Sequence, residues 1–385
     1  MTRRLWLHIG SHKTGTTTAQ DTFRFNRKLL AGRGLGFAHG TGVSRLHEYL
    51  STIDAAHFLP QGFHVIDPQA FAAHVAEAKG DTVFASSENF SFFFAIGPIA
   101  ALAAALRAHF DEVRILAYIR RQDRHAISHH QEGARPDRPP EGALWGHSLT
   151  ALPEPQPLQR LYLDYNARLA LWEEIFGVEN VTVRMYERAH LKNRDIVADI
   201  LSVLGVSDEG IQPVADKNNG LGLQKAKVGH LANSIFGDPR ITAALTRALP
   251  PNDPKMLPKA DSARAFLEPY RDSNRALNAR RQITEFPDLF PDDFDFYPTA
   301  PTDKWNEVSA NSAMRAVISV LGSRDGRKNA LYFDDLRQAA LALREQSPGP
   351  ALRFAKAAQR IRPNALQITK LVNELQEVIT RRDAP

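Results

Sequence analysis

The chain has no cysteine among its 385 residues, which excludes disulfides, thiolate metal sites and a cysteine nucleophile, and fits a reducing compartment. It also has no apolar run near the roughly 18 residues that a membrane-spanning helix needs. The N-terminal MTRRLWLHIG sets two arginines ahead of apolar residues, but the apolar run ends after about five, too short for the core of a signal peptide. A cytoplasmic protein is expected. An excess of one charge is lacking too: 48 basic against 43 acidic residues leave a formal net charge of +5. That mild excess suits an anionic ligand. The basic residues are spread along the chain rather than interleaved with aromatics, so a nucleic-acid partner is not expected.

What is present is the composition of a globular protein, 43% hydrophobic and 24% charged, in a chain long enough for one large domain with a smaller one beside it. The most informative stretch is Leu5 to Gln20, LWLHIGSHKTGTTTAQ. Leu5, Leu7 and Ile9 read as a buried strand ending at Gly10, and Ala19, Phe23 and Leu30 continue at helical spacing from Thr16 to the glycines at 32 and 34. Strand, turn and helix make an anion cradle, because the N–H groups of a first helical turn have no helical acceptor and the helix dipole favours negative charge there. Lys13 adds a full positive charge, and Thr14, Thr16, Thr17 and Thr18 add hydroxyls. The ligand should carry phosphate or sulfate.

In the nucleoside-triphosphate loop, G-x-x-x-x-G-K-[ST], the lysine directly follows the second glycine. Here Gly15 is followed by Thr16, and the lysine comes earlier, in the order Gly10, Ser11, His12, Lys13, Thr14, Gly15, Thr16, Thr17. This arrangement resembles the 5′-phosphosulfate-binding loop of sulfotransferases, particularly the bacterial carbohydrate-sulfotransferase-like family. A second segment, YIRRQDRHAISHHQ, sets Arg120 at a strand end and Ser128 eight residues later on the next helix. In that family such a pair holds the 3′-phosphate of 3′-phosphoadenosine 5′-phosphosulfate, a planar guanidinium fork and a hydroxyl acting on one phosphate. Tyr186 and Glu187 resemble the family's Tyr-Glu pair, whose tyrosine lies near adenine. FLEPYRDSNRALNARR, from Phe266 to Arg281, is similar to the closing helix of bacterial members. A second loop for the 3′-phosphate should fall between Asn218 and Lys227, but NNGLGLQKAK does not match it, and no residue is assigned there.

The resemblance implies transfer of a sulfuryl group to an acceptor hydroxyl or amine on a carbohydrate, with Lys13 stabilising the leaving group and no metal required. Glu88, after the strand TVFAS, is the candidate catalytic base, since SSEN resembles a recurring family segment; His12 and His47 are the alternatives. His125, His129 and His130 crowd one helix, and the i, i+4 spacing of His125 and His129 permits a zinc reading, but no glutamate follows His125 in the protease order. Two other functions stay open on the residues alone: a P-loop kinase, opposed by the missing Gly-Lys-Ser/Thr, and a noncatalytic scaffold that uses its tail to bind partners.

Along the chain, strands at Leu35 to Ala38, Thr82 to Ser86, Val113 to Ile119 and Val181 to Tyr186 alternate with helices opening at Pro68 and Pro98 and with a long one from Leu158 to Phe176. Thr41 to Phe63 reads as a polar loop. The expected fold is α/β, a doubly wound parallel sheet of the P-loop sulfotransferase type with a small C-terminal helical extension. Its ligand should sit at the carboxyl ends of the strands, where Gly10 to Thr17, Glu88, Arg120 and Tyr186 all fall. The expected divisions are 1–285 for this domain, 286–305 for a linker or surface loop marked by Pro287, Pro291, Pro298 and Pro301, and 306–385 for the helical extension. There Ala351 to Ile361 and Ala365 to Ile379, joined by a turn at 362–364, resemble one tetratricopeptide-type helix pair, which suggests docking on the main domain or self-association.

Overall fold

A computed structural model of the chain describes residues 2–38, 49–52, 63–136, 138, 144–214, 220–251, 253–322, 333–361 and 365–382. His47, most of the polar stretch after Thr41, the turn at 362–364 and part of the segment from Asn218 to Lys227 lie outside the described residues. In chain order the strands are β1 (Arg4–His8), β2 (Leu35–Ala38), β3 (Leu50–Thr52), β4 (Phe63–Val65), β5 (Thr82–Ser86), β6 (Glu112–Ile119) and β7 (Val181–Met185). The helices of the α/β region are α1 (Thr16–Phe25), α2 (Arg27–Ala31), α3 (Pro68–Ala76), α4 (Ile96–Arg107), α5 (Gln122–His130), α6 (Pro157–Leu163), α7 (Tyr165–Phe176) and α8 (Ile196–Val203).

Five strands form one parallel sheet in the order β2-β5-β1-β6-β7, and β3 pairs antiparallel with β4. The expected α/β fold is the one observed. β1 is central, with Leu5 between Val83 and Val113 and Leu7 between Ala85 and Ile115. Alternate residues feed two cores, as a sheet covered on both faces requires. Leu5, Leu7, Val83, Ala85, Ile115 and Ala117 pack with α3, α4 and α7 through Phe71, Leu102, Leu106 and Trp172. Trp6, Phe84, Leu116 and Tyr118 pack with α1 and α8 through Phe23, Ile196 and Ile200.

Several boundaries differ from the reading of the sequence: β7 ends at Met185 and not Tyr186, α4 opens at Ile96 and not Pro98, β3 lies in the stretch read as a polar loop, and two helices are interrupted. The helix read from Leu158 to Phe176 is two, because Asp164 leaves helical geometry (φ −78°, ψ 84°) and its side chain accepts the N–H of Ala167 to cap α7. The helix after the loop breaks at Asn26, whose amide donates to Thr22 O and Gln212 O.

The chain divides into two compact units, 1–132 with 140–220 and 257–302, and 133–139 with 221–256 and 303–385. In the first, α11 (Ala260–Leu267) and α12 (Arg271–Arg281) follow α9 (Leu223–Phe236) and α10 (Pro239–Arg247) of the second. The Pro- and Asp-rich stretch up to Thr302 belongs to the first unit, and its Leu289, Phe290, Phe294 and Tyr297 are buried. Arg121 holds it by donating to Pro291 O and Asp293 O, and Tyr297 donates to Asp123 at 2.6 Å. In the second unit α9, α10 and α13 (Glu307–Gly322) share one apolar cluster, and α14 (Phe333–Leu343), α15 (Pro348–Ile361) and α16 (Leu366–Arg382) share another built on Ala351, Ala355, Ala358, Ile368 and Leu375.

Sequence order runs outward from β1 to β2, returns through β5, and crosses to β6 on the other side of β1. The carboxyl end of β1 is therefore the switch point where such sheets bind ligands. The backbone leaves it at Gly10 with φ 85°, and a Cβ there would lie 2.8 Å from the Cα of Glu88. Gly32, by contrast, is right-handed (φ −62°, ψ −15°), and the same built atom there meets nothing closer than 3.4 Å. Gly10→Ala is expected to cost at least about 2 kcal/mol in urea unfolding, from the left-handed backbone and the backbone clash together, while Gly32→Ala is neutral or stabilises by up to about 1 kcal/mol. Equal effects at the two positions would show that Gly10 is not constrained as described.

Candidate active site

β1 stays hydrogen-bonded to β6 past its own end, Ile9 N–H donating to Leu116 O and Ser11 N–H to Tyr118 O. The chain then turns away. Lys13, a non-glycine residue, has φ 60°, and Gly15 has φ 79°. Left-handed geometry at a lysine is costly and marks a place that the surroundings force. α1 begins at Thr16 with Gly15 as its N-cap, and no side chain caps it. The unserved N–H groups of the first turn thus face the loop, the arrangement that receives an anion.

Most of the loop hydroxyls shape the loop itself. The Thr14 hydroxyl donates to Ser11 O at 2.5 Å, the Thr16 hydroxyl lies 3.5 Å from the same oxygen, and Ser11 Oγ accepts from Arg168 at 3.0 Å. Ser11, Thr14 and Thr16 are buried, and Thr17 is exposed. Backbone N–H groups and Lys13, more than hydroxyls, are what the loop presents.

Neighbouring strands deliver the other expected residues. Arg120, after β6, donates from Nη1 to Lys13 O at 3.2 Å, and its guanidinium lies 5.9 Å from the centre of the Tyr186 ring. Tyr186, after β7, fills the space that a side chain at Gly15 would take: a Cβ there would be 3.0 Å from its ring. Glu88, after β5, abuts Gly10 through its backbone, and its Oε2 accepts from Gln20 Nε2 at 3.3 Å. The cap of its turn is Ser87, which accepts from Asn89 N–H. Gly10, Lys13, Gly15, Glu88, Arg120 and Tyr186 are thereby one connected group. Ser128 is half-buried on α5, and no contact joins it to the loop.

Several members of the site carry no motif. Glu132 pairs with Lys13 at 2.7 Å, both side chains being largely buried. The main-chain N–H of His12 donates to the Tyr162 hydroxyl at 3.1 Å, and the His12 ring meets the same hydroxyl at 2.9 Å and Ser91 Oγ at 3.1 Å. Its ring stacks on His129 at 4.6 Å. The Tyr165 hydroxyl donates to Arg120 O at 2.7 Å, so its contact with His125 Nδ1, also 2.7 Å, has the imidazole as donor. His125 and His129 stack face to face at 5.8 Å, and among the described residues no three potential ligands gather as a metal site would need. Tyr162 and Arg168 sit on helices that read as packing elements. The available signal was Arg168 itself, an arginine three residues from Tyr165 and four from Trp172, on the apolar face.

No protein-family model matches the chain, and no curated protein does. Among solved structures the chain is similar to a sulfotransferase from Alicyclobacillus acidocaldarius, at 17% sequence identity and a TM-score of 0.42, over 74% of this chain and 98% of that one. A likeness so distant assigns no residue a role.

Burial keeps the histidines around the sheet neutral. His8, under Glu88, is pushed down to about 4 by burial, against the pull of the Glu88 charge. His130 is lowered to about 4 by the same cause, and His125 lies well below the ordinary value. Unfolding lets all three take up protons below pH 6.5, so stability is full above that pH and is lost as pH falls toward 4. Each contributes up to about 1.4 kcal/mol per pH unit in that window. The free energy of unfolding is expected to drop steeply between pH 6.5 and 5; a flat profile would show that these histidines are charged in the folded chain.

Proposed function

We propose that the chain is a sulfotransferase that moves a sulfuryl group from 3′-phosphoadenosine 5′-phosphosulfate to a hydroxyl or amine of a carbohydrate acceptor. The observation that carries this reading is the uncapped first turn of α1 behind Gly15, with Lys13 held in left-handed geometry two residues earlier and Arg120 bonded to its carbonyl. The donor set fits the group. It joins backbone N–H groups, an ammonium and a guanidinium, and the side-chain-free faces of Gly10 and Gly15 keep the cradle narrow. Lys13 already donates to one anionic oxygen, that of Glu132, which supports reading it as an anion-binding group.

When bound, the donor supplies a sulfuryl group activated by a phosphate leaving group. Lys13 and the first-turn N–H groups stabilise the negative charge that gathers on that phosphate. Arg120 and Ser128 hold the 3′-phosphate, and Tyr186 offers a ring face for the adenine. Glu88 accepts the acceptor's proton, with Gln20 steadying the carboxylate; His12, fixed by Tyr162 and Ser91, is the other base that the site offers. The acceptor is a glycan or glycoconjugate in the cytoplasm, and the C-terminal helices serve self-association or a protein contact.

The test is transfer of labelled sulfate to a panel of glycans. Lys13→Ala should lower turnover at least about a hundredfold, about 2.7 kcal/mol, with the fold intact. Glu88→Gln should leave donor affinity nearly unchanged and lower turnover by ~10²- to 10⁴-fold. Normal turnover in Lys13→Ala would overturn the loop's role, and normal turnover in Glu88→Gln would move the base to His12.

A further inference from the structure

Arg168, on α7, is buried, and its guanidinium makes no ion pair with a carboxylate among the described residues. Nη1 donates to Ser91 O at 2.6 Å and Nη2 to Ser11 Oγ at 3.0 Å, and the group lies over the rings of Tyr162 (4.9 Å) and Tyr165 (5.4 Å). Nε has no partner. The adjoining cavity, lined in part by Gly10, Ser11, Ser91 and Arg168, is about 10 Å³, room for one water at most and not for an anion. Burial lowers the pKa of the guanidinium, yet an arginine titrates so high that it stays charged at neutral pH. A buried cation with no ion pair is costly, and two neutral acceptors, two aromatic faces and the charge of nearby Asp164 offset that cost in part. Lys13 is paired by Glu132, whereas no carboxylate among the described residues pairs with Arg168, one hydroxyl behind the loop.

We propose that Arg168 is a positioning residue and the fixed counter-charge of the loop, stabilising its anionic ligand from inside the protein without touching it. Two effects follow from one side chain. Its bonds to Ser11 and Ser91 fix the loop and the partner of His12, and its charge adds to the field at the first turn of α1, little screened because the path between them is buried. The inference rests on the reading of the loop as an anion site.

The experiment measures the affinity of inorganic pyrophosphate by calorimetry in the full chain and in Lys13→Ala, Arg168→Lys and Arg168→Met. At about pH 6, where a buried lysine keeps more of its charge than at neutral pH, Arg168→Met should weaken binding at least tenfold, whereas Arg168→Lys should stay within threefold of the unaltered chain. A purely structural role would lower the melting temperature of Arg168→Met without changing affinity. Unchanged affinity in Arg168→Met, or equal weakening in Arg168→Lys and Arg168→Met, would overturn the proposal. Should Arg168→Met not fold, a tenfold loss in Arg168→Lys overturns it alone and retained affinity supports it. Lys13→Ala separates the two readings: if it binds pyrophosphate normally, the loop assignment fails; if it is weakened while Arg168→Met is not, only the role of Arg168 fails.

Discussion

Everything at this site depends on a helix that starts without a capping side chain. A first helical turn needs acceptors for its N–H groups, and most helices meet that need with serine, threonine, aspartate or asparagine at the N-cap. Here α3, α7, α8 and α10 follow that pattern, with Asp67, Asp164, Asp195 and Asp238 as caps, whereas α1, like α2, α4, α5, α6, α9, α11 and α12, has no side-chain cap. What distinguishes α1 is its place at the carboxyl end of the central strand, with Lys13 and Arg120 beside it. A charged cap there would fill the cradle with the protein's own carboxylate, and its absence leaves the helix terminus open, as the proposed function requires.

The loop is held open by its neighbours more than by its own sequence. Ser11, Thr14 and Thr16 bind inward, Tyr162 takes the N–H of His12, Arg120 takes the carbonyl of Lys13, and Tyr186 closes against Gly15. Tyr162, Arg120 and Tyr186 each come from a different strand end or helix, so the loop cannot relax without moving several elements. Such preorganisation is what electrostatic stabilisation of a developing charge requires, since the dipoles need not reorient as the charge forms.

The fold was legible because strands and helices alternate with clear periods, and strand ends such as Ser86 and Ile119 were marked by the polar residues that follow, whereas β7 was read one residue too long, to Tyr186. Proximity within the site followed from topology: a parallel sheet with β1 at its centre brings the residues after β1, β5 and β6 to one edge. What stayed hidden were contacts between side chains far apart in sequence. Glu132 meets Lys13 across 119 positions and Arg168 meets Ser11 across 157, and neither pairing leaves a local pattern. The stretch after Phe286 showed its prolines and aspartates but not its buried aromatics, because an apolar residue held by irregular backbone has no period to detect. The break at Asp164 was hidden for the opposite reason, since apolar residues on both sides kept helical spacing across it.

The proposed function stands on the loop from Gly10 to Thr17 holding the phosphate end of a 3′-phosphoadenosine 5′-phosphosulfate donor. Calorimetric titration with the desulfonated product, 3′,5′-adenosine bisphosphate, tests this. One site per chain is expected, much tighter than for magnesium-ATP, and weakened in Lys13→Ala and Arg120→Ala. Tighter binding of magnesium-ATP, or bisphosphate binding that is indifferent to both substitutions, would overturn the proposal.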